Sequence, residues 1–238
     1  MTVTNDARFG QTGFGGERGY NWEITLHAVI DKKELRLVNS SVREFCQKHY
    51  EFRTFKQYLK RNHIDLTDKV ILDVGCASGH SSQLIMEEFH PKELFAFDIM
   101  PEEVELARQR GLSANLFVAD VTDTRLPGEK FDAVFVFDVL HHVPEWRTGL
   151  REINRVLKCG GLLLVQEPNK HSLDRIDRYF KIYHPMESRF EFPELIEGLE
   201  QSGFCVVEKR KRYLGHFMSL MCRKLSRTGA EAAPLMPA

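Results

Sequence analysis

From Lys69 onward, short apolar runs alternate with stretches of helical period. That alternation predicts βα units building a parallel sheet covered on both faces. The predicted strands are residues 70–74, 94–98, 116–119, 133–137 and 162–166, with helices over 81–89, 101–110 and 147–157. Pro101 opens the second helix, where its missing N–H is harmless. After a helix at 193–202 the pattern changes: two apolar runs, 205–211 and 217–222, follow each other across Gly215. Two strands so closely joined cannot both be parallel neighbours, so an antiparallel hairpin is expected at one edge. Upstream, Leu35, Val38, Val42, Phe45 and Cys46, then Phe52, Phe55 and Tyr58, recur at helical spacing and predict one or two amphipathic helices ahead of the sheet.

The ends read differently. Residues 1–22 are polar and carry Gly10, Gly13, Gly15, Gly16 and Gly19, too little apolar surface to order the segment alone. No apolar strand precedes these glycines and no Lys-Ser or Lys-Thr follows them, so they are not a phosphate loop. The expected organisation is an arm and helical lid over 1–62, a ligand-binding α/β domain over 63–224, and a disordered tail over 225–238. Within the domain, residues 168–192 are long for a connection and mix aromatics with Arg and His; with Tyr20 and Trp22 of the arm they are expected to form a lid.

Composition narrows the class. The 238 residues are 42% hydrophobic and 28% charged, as in globular domains. Thirty-three basic against 34 acidic side chains, a net charge of -1, give no reason to expect a nucleic-acid or acidic-membrane partner. The run EKRKR at 208–212 is read as the solvated face of an edge strand. No apolar run approaches a membrane span and the first residues lack a secretory pattern, so a cytoplasmic protein is expected. Cys46, Cys76, Cys159, Cys205 and Cys222 form no CxxC pair and are expected to be reduced thiols.

The most informative stretch is VILDVGCASGHSS, residues 70–82. A strand ends in an acid, turns through Gly75 and enters a helix near Gly79, aiming free N–H groups and a positive dipole end into the crevice at the strand termini. A dinucleotide fingerprint starting at Gly75 would need glycines at 77 and 80, where Ala77 and His80 stand. Asp73 suits a ligand with a cationic amino group. Asp98, 23 residues after Gly75, stands where a carboxylate would accept from both ribose hydroxyls. Asp120 would accept from an exocyclic adenine amine while the Val121 N–H donates to the ring, and Asp138 closes the fourth strand. A nucleoside joined to an amino acid fits this acid-tipped sheet.

These residues resemble the class I S-adenosylmethionine-dependent methyltransferases, in particular their small-molecule branch. The resemblance spans about residues 66–222 and rests on LDVGCASG (72–79), FDIM (97–100), VADV (118–121), FDAVFVFDVLHHV (131–143) and REINRVLKCGG (151–161). It implies a Rossmann-like, seven-stranded, mostly parallel sheet with helices on both faces and an antiparallel C-terminal hairpin. It also implies that Asp73, Gly75, Cys76, Ala77 and Gly79 surround the methionine part of S-adenosylmethionine. Asp98 would hold the ribose with Ile99 beside it, Asp120 and Val121 the adenine, and Phe137 and Asp138 would lie near the amino acid moiety. Ala77 replaces a frequent glycine and is tolerated if its φ is negative; Cys159 replaces a proline.

The implied reaction is in-line methyl transfer to an O or N atom of a small molecule, leaving S-adenosylhomocysteine. Methylation of a protein or peptide and a non-catalytic cofactor-binding module are the alternatives. Alignment is the protein's main contribution, and a base helps only if the acceptor must lose a proton. His141, His142 and Glu167 are the candidate bases. Asp138, His141 and His142 stand at the spacing of the ExxEH pattern of quinone-biosynthesis O-methyltransferases, but both glutamates are missing and no metal site is expected.

Overall fold

The computed structural model describes residues 39–181 and 184–226. The glycine-rich arm with Tyr20 and Trp22, and most of the expected tail, lie outside the described residues. The described chain opens with helix α1 (Ser41–Cys46), whose first turn is capped by the Ser40 hydroxyl accepting from the Arg43 N–H. A π-helical stretch, Gln47–Phe52, leads into α2 (Arg53–Arg61). Then come β1 (Val70–Val74), α3 (His80–Phe89), β2 (Glu93–Asp98), α4 (Pro101–Gln109) and β3 (Asn115–Val118). They are followed by β4 (Phe131–Phe137), α5 (Trp146–Val156), β5 (Leu157–Pro168), α6 (Lys170–Phe180), α7 (Phe192–Gln201), β6 (Phe204–Arg212) and β7 (Phe217–Lys224).

The strands form one seven-stranded sheet in the order β3-β2-β1-β4-β5-β7-β6. β1 to β5 run parallel to one another, whereas β7 is antiparallel to both β5 and β6. The expected hairpin is present, with β7 inserted beside β5 and β6 left at the edge. Lys209, Arg210 and Lys211 on that edge strand are exposed, as expected for the basic run.

Alternation along the buried strands divides the core in two. Leu72, Val74, Val134, Val136, Leu163 and Val165 face α5 and α7 through Trp146, Leu150, Ile153, Leu195 and Leu199. Ile71, Ala133, Phe135, Leu162 and Leu164 face the other way, against Phe52, Phe55, Tyr58, Leu84, Ile85 and Phe89. The amphipathic pattern read over 52–58 is therefore a core face, and Tyr58 completes it by donating its buried hydroxyl to the Ser219 carbonyl at 3.1 Å.

β5 starts five residues before its expected start. The chain passes from α5 directly into extended backbone, and Phe131 pairs with Leu157 across an irregularity in the β4 to β5 register. The long segment after β5 contains α6, capped by the Asn169 side chain accepting from the Ser172 N–H.

Candidate active site

Strand order reverses between β1 and β4, which opens a crevice above their carboxyl ends. A cavity of about 380 Å³ occupies it. Its floor is the loop after β1. Gly75 has a φ of +67°, and a Cβ there would stand 2.4 Å from Cγ2 of Val139, so both the turn and the close packing exclude other residues. The Cys76 N–H donates to the Phe97 carbonyl at 2.9 Å, which ties this loop to β2.

Asp98 is the central staple. One of its oxygens accepts from the Ala77 N–H and the other from the Met100 N–H, both at 2.9 Å. The carboxylate is buried and lines the cavity, and desolvation raises its pKa against the pull of these N–H groups. Ala77 has a φ of +44°, so the condition set for a readily tolerated alanine, a negative φ, is not met. The geometry a glycine would adopt freely is imposed on an alanine because its N–H is held by Asp98.

Asp73 stands elsewhere than the sequence suggested. It precedes the last residue of β1 and points away from the cavity lining, fully buried, with Oδ2 accepting from the hydroxyls of Ser81 at 2.6 Å and Ser82 at 2.7 Å. It anchors the start of α3. Burial pushes it up to about 6, above the unfolded value of 3.8. A carboxyl whose folded pKa is raised contributes stability below about pH 4 that is lost as pH rises through about 6. Asp73→Asn should therefore gain on the parent by roughly 3 kcal/mol in urea-unfolding free energy between pH 4 and pH 7. An unchanged difference across that range would remove the role assigned to burial.

Phe97, Ile99, Ala119, Val121 and Phe137 supply apolar walls to the cavity, together with Asp120. Asp120 lies beyond the end of β3, and its Oδ1 accepts from the N–H and hydroxyl of Thr122, both at 2.8 Å. Asp138 follows β4 with a φ of +59°, and its Oδ2 is paired at 2.7 Å with Arg43, whose other guanidinium nitrogen is 2.6 Å from Glu51. The buried Glu51 and the half-buried Asp138 share one cation. Arg43 is held charged although burial opposes it, and desolvation leaves the Asp138 carboxyl well above its ordinary range.

Of the three candidate bases only His142 lines the cavity. Glu167 is completely buried below it, with Oε1 accepting from the Val139 and Leu140 N–H groups at 2.9 and 2.7 Å and Oε2 2.7 Å from His141 Nδ1. This removes it from the bases that could reach an acceptor: an acid at the end of a buried strand satisfies the backbone of the neighbouring loop. Burial raises Glu167 to about 8 and holds the His141 imidazole well below its ordinary range.

The lid reading is also redrawn. Asn39, Arg43, Glu44 and Gln47 border the cavity, so the described end of the 1–62 region contributes to it. No described residue of 168–192 does; that segment instead packs His184 against His142, with ring centroids 5.1 Å apart. Arg43 and Gln47 were missed by sequence reading. The only signal was a basic residue in an amphipathic helix, and its partner Asp138 lies 95 positions away.

A glycine-bearing turn, a carboxylate stapling two strand ends, apolar slabs and further acids above them fit a cationic nucleoside. Residues 72–165 match the profile of the family described as a methyltransferase domain. This stretch is similar to a methyltransferase domain, in agreement with the resemblance that the motifs carry. O-methyltransferase rstn1 of Aspergillus nomiae is 30% identical over 151 residues, which are 58% of this chain and 65% of that protein. The ubiquinone biosynthesis O-methyltransferase of Xanthomonas oryzae pv. oryzae is 34% identical over 114 residues, 45% of this chain and 46% of that one. The chain thus spans less than two thirds of the length of these curated relatives. Among solved structures, a SAM dependent methyltransferase from Aquifex aeolicus superposes with a TM-score of 0.64 at 19% identity, covering 82% of this chain and 99% of that one. The [4+2]-cyclase SpnF superposes with a TM-score of 0.59 at 19% identity, covering 73% and 80%. The chain shares its fold with both, and fold alone does not fix the reaction.

Proposed function

We propose that the protein transfers a methyl group from S-adenosylmethionine to an oxygen of a small-molecule acceptor. The observation that carries this reading is the continuity of the cavity. It runs from Gly75, Asp98 and Val121, which suit the donor, to Arg43, Gln47, His142 and Glu145, which no donor contact requires. The second group walls off room for another small molecule. The O-methyltransferase names of the relatives favour oxygen over nitrogen as the acceptor atom.

S-adenosylmethionine supplies a methyl carbon on a sulfonium; the acceptor oxygen forms the new C–O bond as the C–S bond breaks, its electron pair staying on sulfur. The residues of this chain hold and align. Asp98 would accept from the ribose hydroxyls while keeping the 75–79 loop in place, and the apolar walls would sandwich the adenine near Asp120. Asp138 Oδ1 is buried without a hydrogen-bond partner and faces the same cavity, a fit for a cationic amino group. His142, at the acceptor end, would take the proton released from a hydroxyl.

The test is formation of S-adenosylhomocysteine by the full chain with panels of phenols, hydroxy acids, carboxylic acids and amines. A hydroxyl or carboxyl acceptor that gains one methyl is the expected result, with His142→Ala lowering kcat about 100-fold. Turnover only with peptides would favour a protein substrate. Cofactor binding with no turnover on any panel would favour a binding module.

A further inference from the structure

His141, His142 and His184 come together below the acceptor end of the cavity, and each is buried. One ring nitrogen from each lies within 4.8 Å of the others. Their ring centroids are 4.0, 5.3 and 5.1 Å apart. Three polar rings in one dry place need a reason, because burying such groups costs free energy unless they are engaged.

Two of the rings are held in a particular way. Glu167 Oε2 meets His141 Nδ1 at 2.7 Å, and Asp177 Oδ1 is hydrogen-bonded to His184 Nδ1. A carboxylate on one nitrogen of an imidazole orients the ring and strengthens the other nitrogen as a donor to metal, the usual outer support of a metal-bound histidine. These supports are themselves fixed. Glu167 accepts from two backbone N–H groups, Asp177 is paired with Arg189, and the Ser188 hydroxyl donates to the His141 carbonyl.

We propose that His141, His142 and His184 form a three-histidine site for a divalent transition-metal ion, with Zn²⁺ the best match. Imidazole nitrogens suit zinc and its transition-metal neighbours rather than magnesium or calcium. Tetrahedral ligation at 2.0–2.1 Å places nitrogens about 3.3 Å apart, so closure needs the ligand atoms to draw together by about 1.5 Å at most. Asp138, which the ExxEH spacing would enlist, is instead paired with Arg43, and the third ligand comes from the segment after β5.

Three protein ligands leave a fourth position open, as in catalytic zinc sites. Because His142 also lines the cavity, that position borders the acceptor end. If the reading of oxygen methylation above holds, a bound ion would acidify the acceptor hydroxyl in place of His142, whose cavity-side nitrogen would then be a ligand and not a base.

The probe is Co²⁺ titrated into the metal-stripped full chain, without donor or acceptor. One equivalent should produce the visible bands of tetrahedral cobalt, and one equivalent of Zn²⁺ should bleach them. His184→Ala should abolish the bands and weaken Zn²⁺ at least about 100-fold, and Asp177→Asn should weaken it about 10-fold. S-adenosylhomocysteine binding by both variants, measured in parallel, reports that the fold persists, since neither residue lines the cavity. If His184→Ala fails to fold, Asp177→Asn decides. No tetrahedral spectrum in the parent, bands that survive in a folded His184→Ala, or Zn²⁺ affinity unchanged in Asp177→Asn would overturn the site. A failure of S-adenosylhomocysteine to bind the parent would count against the donor cavity and leave the metal result standing.

Discussion

Asp98→Asn is expected to weaken S-adenosylhomocysteine binding by about 10- to 100-fold while the protein remains folded. The carboxylate makes two backbone bonds at once, to the N–H groups of Ala77 and Met100. An amide offers an acceptor to only one of them and turns an NH₂ toward the other, leaving a buried donor unsatisfied at about 1–3 kcal/mol. That cost falls on the folded state with or without ligand; the change in affinity comes from the ribose contact, where losing a charged acceptor is worth about 1.5–3 kcal/mol, or roughly 10- to 100-fold. The effect should reach the ligand by two routes, through a lost ribose acceptor and through release of Ala77 from a backbone geometry it would not adopt unaided. Isothermal titration checks the affinity and urea unfolding checks the fold. Unchanged affinity would remove Asp98 from the site.

Arg43→Met should lower the free energy of unfolding by about 3–5 kcal/mol near pH 7, the usual consequence of removing one partner from a buried ion pair. Methionine preserves the aliphatic bulk but leaves Glu51 and Asp138 without their shared cation. Glu51 is only 3% exposed, so water cannot take over. The loss should shrink as pH falls, because protonation neutralises the stranded acids. Adding Glu51→Gln to Arg43→Met should recover part of it. Urea unfolding at pH 5 and pH 7 tests both statements. An unfolding free energy within 0.5 kcal/mol of the parent, the range of an ordinary surface substitution, would show that the triad adds nothing.

Much of this architecture was readable from the chain alone because parallel strands buried on both faces leave continuous apolar runs. Val70–Val74 was placed to the residue, and β2, β4 and the C-terminal hairpin closely. The motif around Gly75 was legible for a related reason: a positive φ and a contact with Val139 leave a local sequence requirement. Side-chain direction was less legible. Asp73 and Asp98 both stand at strand ends, yet one turns beneath α3 and the other into the cavity, a difference set by the pleat and by the partners Ser81, Ser82, Ala77 and Met100. Glu167 looked available as a base because sequence does not show that Val139 and Leu140 need an acceptor. The pairing of Arg43 with Asp138 and the meeting of His184 with His142 are long-range contacts with no periodic signature.

Calorimetric titration of the full chain with S-adenosylhomocysteine tests the central claim most directly. The account predicts saturable binding of one molecule per chain, weakened by Asp98→Asn and by Gly75→Val. Protein that is folded by circular dichroism yet releases no binding heat at several temperatures, and shows no thermal stabilisation by the ligand, would contradict it.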